Sequence, residues 1–119
     1  MKVRFLLDEN EPPRLKAALL RFNPAIDVSR VGEPGAPQLG TLDHDLLRYL
    51  ELAQRVLVTS NRTSMPAHLQ THWATGGHVW GVFYIRSGTP IGPLARELAL
   101  IWEASEAEEW IDRTDWIPF

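Results

Sequence analysis

The chain has no cysteine, so it can hold no disulfide, thiolate metal site or cysteine nucleophile. That usage is expected of a cytoplasmic protein. No apolar run approaches the roughly 20 residues needed to cross a bilayer, and no signal-peptide pattern opens the chain, so no membrane association is expected. Basic residues do not dominate. Lys and Arg number 12 against 15 Asp and Glu, a net charge of -3. This argues against a surface coated in positive charge for tight nucleic-acid binding, but leaves room for a local cleft that handles it. Walker loops, glycine-rich dinucleotide loops and nucleophile elbows are absent, as are internal repeats, low-complexity tracts and linkers. What remains is 119 residues, 45% of them hydrophobic and 23% charged. That composition fits one domain, residues 1–119, able to build its own core.

Short apolar runs alternate with stretches of helical period. "KVRFLL" (2–7), "AIDVSRV" (25–31), "RVLVT" (55–59) and "HVWGVFYI" (78–85) read as strands. "DWIPF" reads as a short edge strand, because Pro118 suits a sheet interior poorly. Between them, "EPPRLKAALLRF" has Pro12 and Pro13 in its first turn and Leu15, Ala18, Leu19 and Phe22 at helical spacing. Residues 42–53 put Leu46, Leu47, Leu50 and Ala53 on one face, with Thr41 or Asp43 available as a cap. "SMPAHLQTHWAT" is a short helix ended by Gly76 and Gly77, and "IGPLARELALIWEASEAEEW" a long one. The alternation predicts an α/β protein, a three-layer α/β/α sandwich on a mostly parallel sheet of four to five strands.

In such a sheet, ligands bind beyond the carboxyl ends of the strands where the strand order reverses. If the first strand lies between the second and the third, Asp8 and Asn61 become neighbours there. Asp8, Glu9 and Asn10 follow the first strand, Asp43 and Asp45 open the second helix, and Thr59 and Asn61 close the third strand. Carboxylates converging from separate elements can hold a hard divalent cation, Mg²⁺ or Mn²⁺, through one or two oxygens plus water. The bland alternative is that Asp43 and Asp45 merely cap a helix and complement its dipole.

The segments "MKVRFLLDENEPPRL", "VGEPGAPQLGTLDHDLLRYLELAQRVLVTSNRTSMPAHL" and the closing "TDWIPF" resemble the small stand-alone PIN-like proteins. These belong to the PIN nuclease superfamily and are associated with toxin–antitoxin-like gene pairs. The resemblance implies a PIN-like fold and a Mg²⁺ or Mn²⁺ site. It implies metal-dependent hydrolysis of RNA, in which carboxylates orient the attacking water. It also implies a cognate antitoxin-like protein partner, and it admits a homodimer. By position, Asp8 matches the first-strand aspartate, and Asp43 the acid heading the helix, with Asp45 as fallback. Glu9 and Asn10 match the polar pair after the first aspartate, and Thr59 the end of the third strand. Asn61 stands where the family has an aspartate. An amide lends an oxygen to a metal but no charge, and it cannot act as a base. The alternative reading is therefore a catalytically inactive PIN-like protein–protein interaction module.

Arg62, in the turn beyond Asn61, is placed to touch a phosphate or simply to be solvated. His44, His68, His72 and His78 do not make a zinc pattern, although His68 and His72 are four residues apart. Trp80 and Trp102 are expected in the core. Trp110, in an acidic stretch, is expected to cover an exposed face or meet a partner. A phosphotransfer receiver-like domain would also gather acids at strand ends, but it wants a lysine where "HVWGVFYIRSG" supplies Arg86.

Overall fold

Side chains along each strand alternate between two apolar layers. Phe5, Leu7, Val56, Val58, Phe83 and Ile85 enter one buried cluster, whereas Leu6, Leu57, Val82 and Tyr84 enter another. Strands buried on both faces must be covered on both, and helices from the intervening sequence do this. The computed structural model describes residues 1–119. In chain order, the elements are β1 (Arg4–Leu7), α1 (Pro13–Phe22), β2 (Asp27–Arg30), α2 (Asp43–Ala53), β3 (Val56–Thr59), α3 (Met65–Ala74), β4 (Val82–Ile85), α4 (Ile91–Ala104) and β5 (Thr114–Ile117), with one 3₁₀ turn at Ala107–Trp110. All strand pairs are parallel, in the order β2-β1-β3-β4-β5. The protein is an α/β/α sandwich. No helix is long and apolar enough to cross a membrane.

Leu15, Ala18 and Leu19 of α1 share their layer with Leu94, Ala95, Leu98 and Ile101 of α4. Leu46, Leu47 and Leu50 of α2 share the other with Met65 and Leu69 of α3. The strand order therefore has a consequence for handedness. From β3 to β4 and from β4 to β5 the chain steps in the same direction across the sheet, yet α3 and α4 lie on opposite faces. The last crossover thus has the opposite hand to the other three, against the strong preference for one hand. It sets the start of α4 beside the start of α1.

Several boundaries depart from the sequence reading. The strand expected at 78–85 begins only at Val82. Gly81 has φ +119°, and a Cβ there would lie 3.1 Å from Trp110 Cβ and 3.3 Å from its carbonyl oxygen, so the pleat cannot extend back through it. The long helix expected through Trp110 ends at Ala104, and the chain restarts as a 3₁₀ turn closed by a Glu106–Glu109 capping box. Trp110 is not exposed. It is 7% accessible and meets Phe83 edge-to-face at 5.0 Å. Trp80 and Trp102 pack against the larger cluster but stay half-buried. Neither Thr41 nor Asp43 caps α2. The N-cap is Leu42 and no side chain bonds the helix end, while the Thr41 hydroxyl donates to Gln38 O at 2.6 Å.

Candidate active site

With β1 between β2 and β3, the reversal of strand order falls where Asp8 and Thr59 leave the sheet. The Asp8 N–H donates to Val58 O at 3.1 Å, prolonging the β1–β3 ladder by one bond. This fixes the Asp8 backbone. Its carboxylate is fixed as well. Oδ1 accepts the Glu9 N–H at 2.8 Å, and Oδ2 accepts the hydroxyl of the fully buried Thr59 at 2.7 Å.

Asn61 occupies the middle of the arrangement. Its backbone N–H donates to Thr59 Oγ1 at 2.9 Å, so Thr59 can in turn donate to Asp8. The Asn61 side-chain amide donates to Ser64 Oγ at 3.0 Å, and Ser64 Oγ donates to Asp43 Oδ2 at 3.1 Å. Its own carbonyl oxygen accepts the Ser64 N–H at 3.2 Å, closing an Asx-type turn before α3. Asp8 and Asp43 are thus joined in series through Thr59, Asn61 and Ser64. Both outgoing bonds of the hub are donated by Asn61, one from its backbone and one from its amide nitrogen. An aspartate at that position has no side-chain proton to give Ser64.

Asp43 is therefore not a helix cap; its carboxylate reaches across to Ser64, with His68 Nε2 a further 3.7 Å away. Glu9 lines the same cleft of 420 Å³ as Asp43 and ties the first turn to the 32–42 loop by accepting the Gly40 N–H at 3.1 Å. Asp45 is exposed and faces His44 at 3.4 Å, outside this network. Asn10 is exposed. His68 and His72, close in sequence, go to different partners, Asp43 and Glu51. Arg62 turns away from the acids, donates to the Ser87 hydroxyl and lies over the Trp116 ring.

Three participants escaped the sequence reading. Ser64 stands in the sequence only at the start of a helix, and Ser60 carries no motif. Glu11, read as the first residue of a helical segment, is 6% accessible. Its carboxylate accepts the Ser60 N–H at 3.1 Å and the Ser60 hydroxyl at 3.2 Å. Burial raises the Glu11 pKa above its ordinary 4.5. The two Ser60 bonds oppose that shift, and the nearby Asp8 charge adds to it. The signal for Glu11 in the sequence was its place in "DENE", three residues from Asp8 and just before two prolines that set the chain direction.

Asp8 and Asp43 offer carboxylate oxygens, the donors a hard cation takes, with the His68 imidazole beside Asp43, and a Mg²⁺ site needs only one or two carboxylates with water. Asp43 Oδ1 has no hydrogen-bond partner. No three His, Asp or Glu side chains are gathered in ligand geometry. Comparison with protein-family models, characterised proteins and solved structures finds no match to this chain.

Proposed function

We infer that the protein is a divalent-metal-dependent ribonuclease of the PIN-like kind, acting in the cytoplasm as the toxin of a toxin–antitoxin pair. One observation carries the reading. Two carboxylates 35 positions apart in sequence, Asp8 and Asp43, are connected by a continuous run of hydrogen bonds, one of them from the Asn61 backbone, at the sheet's reversal point. The PIN-like resemblance of the sequence adds to it. Asp8 and Asp43 would hold Mg²⁺ or Mn²⁺, with Glu9 at the rim of the same cleft. When bound, such an ion would polarise a phosphoryl oxygen and lower the pKa of a coordinated water.

The chain's own residues do the positioning. Thr59 and the Glu9 N–H hold the Asp8 carboxylate in one rotamer, and Ser64 holds Asp43. Asn61 orients both hydroxyls and transfers no proton. Purified protein should bind Mn²⁺ in calorimetry and cleave single-stranded RNA only with metal present. Asp8→Asn should abolish the heat and the cleavage. Unchanged Mn²⁺ binding in that variant would dispose of the assignment.

A second reading, the inactive interaction module with an antitoxin-like or other protein partner, is favoured by Asn61 itself. The amide satisfies Ser64 without any ion, so the network closes by hydrogen bonds alone. Its other motivation, an exposed Trp110, is removed by the burial of that ring. Asn61→Asp separates the two. A weakened nuclease should gain Mn²⁺ affinity of about tenfold from the added charge, whereas an interaction module should gain neither affinity nor cleavage.

A further inference from the structure

On the opposite side of the sheet's carboxyl edge lies a second cleft, of 390 Å³, lined by Arg14, Arg62 and Arg86. The ion pairs made by arginine and lysine side chains are those of Arg4, Lys16, Arg55 and Arg113, so none of the three has a carboxylate partner. Glu11 is the one acidic residue in the lining, and both its oxygens are taken up by Ser60. Three guanidinium groups thus face one cleft, against one carboxylate, in a chain whose net charge is -3. Such a concentration of like charge is repulsive unless something anionic offsets it.

Two of the three cations are also held in place. Arg62 stacks over Trp116, 5.6 Å from the ring centroid, and bonds Ser87. Arg86 spends Nε on Pro118 O at 2.7 Å, leaving its two terminal nitrogens free. Arg14 has no protein partner at all. Between them runs the 86–91 loop, in which the Arg86 and Thr89 N–H groups bond to Ile117 O and Arg86 O. Ser87, Gly88 and Ile91 line the cleft, and their backbone N–H groups have no backbone acceptor. Ile91 opens the 14-residue α4, whose start carries no side-chain cap, so the positive helix end adds to the arginines.

The geometry points to this cleft as a binding site for a phosphate monoester, its dianionic head on Arg14, Arg62 and Arg86 and its organic body against Ile85, Ile91 and Leu94. Guanidinium forks match phosphate oxygens two at a time, and a monoester near pH 7 carries nearly twice the charge of a diester. The volume is that of a small-ligand pocket, not of a single ion. Ser60 and Glu11 border both sites, but the arginines belong to this cleft alone, and it does not depend on the nuclease reading.

Calorimetry without divalent metal tests it, with inorganic phosphate, phenyl phosphate and dimethyl phosphate as probes. Phosphate and phenyl phosphate should bind saturably, phenyl phosphate more tightly, and dimethyl phosphate at least tenfold more weakly. Arg14→Ala, which removes no hydrogen bond or ion pair within the protein, should weaken phenyl phosphate about tenfold, the worth of a charge-assisted hydrogen bond. Glu11→Gln keeps an acceptor and a donor for Ser60 while deleting the opposing charge, and should tighten binding several-fold. Asp8→Asn should leave phosphate binding untouched whether or not it binds Mn²⁺. Absence of saturable binding at tens of millimolar phosphate overturns the inference. So does an Arg14→Ala protein that binds as the parent does, or a diester bound as tightly as the monoester.

Discussion

The two edges of the sheet treat charge in opposite ways. At the amino edge, charges answer one another. Asp27 bridges Arg4 at 3.1 Å and Arg55 at 2.9 Å, and the N-terminal ammonium meets Glu106 and Glu108. His78 pairs with Asp112, which also accepts the Trp73 N–H. At the carboxyl edge Lys16 and Glu33 still pair at 2.7 Å, but Arg14, Arg62 and Arg86 face a cleft without carboxylate partners, and hydroxyl donors hold Asp8 and Asp43. Paired charge spends its interaction energy on the fold. Unpaired but oriented charge leaves that energy open to a ligand, so the difference separates ionisable groups spent on the fold from those left unspent.

Substitutions should break the comparison in a graded order. The largest stability effect is expected at Asp27→Ala, which leaves the buried Arg55 guanidinium with only Phe5 O as partner. Losing one member of a buried pair costs several kcal/mol. Asp27 is nearly half exposed and water can partly replace it, so about 2 kcal/mol is expected in urea unfolding, with Mn²⁺ and phosphate binding unaffected. Burial alone would raise the Asp27 pKa, but Arg55 and then Arg4 bring it below 3.8. Its contribution is therefore present above that value and lost as pH falls through the lowered pKa, so the deficit of the variant should shrink in strong acid.

Asp8→Asn should do the reverse, changing unfolding free energy by less than about 1 kcal/mol while eliminating Mn²⁺ binding. An amide can still accept the Glu9 N–H and donate to Thr59, so a large loss of stability in that variant would make Asp8 a structural residue and blur the contrast between edges. Glu11→Gln should raise the melting temperature slightly at neutral pH. A carboxyl whose folded pKa lies above its unfolded value contributes most when protonated, and that contribution is lost as pH rises through the folded value. The advantage of Gln should vanish below about pH 4.5, the ordinary value.

The smallest effect is expected at His78 and Asp112. The Asp112 hydrogen bond raises the His78 pKa above 6.5, so that contribution is complete below 6.5 and lost as pH climbs through the raised value. For Asp112, burial works upward, but bonds from Val79, His78 and Trp73 lower its pKa below 3.8, so its contribution is lost as pH falls through the lowered value. Melting curves should show a shallow plateau between those limits, and Asp112→Asn should remove its alkaline shoulder.

Much of the architecture was legible in the residues because both of its signals are local. Apolar runs such as "RVLVT" and "HVWGVFYI" announce strands buried on two faces, and the spacing of Leu46, Leu47 and Leu50 announces the inner side of a helix. The proximity of Asp8 to the end of β3 followed from the alternation once a strand order was assumed. Errors arose where a distant partner overrode a local pattern. Trp110 looked exposed among glutamates, but it packs on Phe83 and closes against Gly81. Asp43 looked like a cap until Ser64, 21 positions later, claimed its carboxylate.

Taken alone, the residues determined the layer order, the strand-end position of Asp8 and the amide at position 61, since each depends on side-chain chemistry and short-range periodicity. The face on which α4 lies could not be read there, because handedness of a crossover comes from how complete helices pack on a finished sheet. That one choice brings Ile91 and Arg86 beside Arg14, and from it follows the division of the carboxyl edge into an acidic cleft and a basic one.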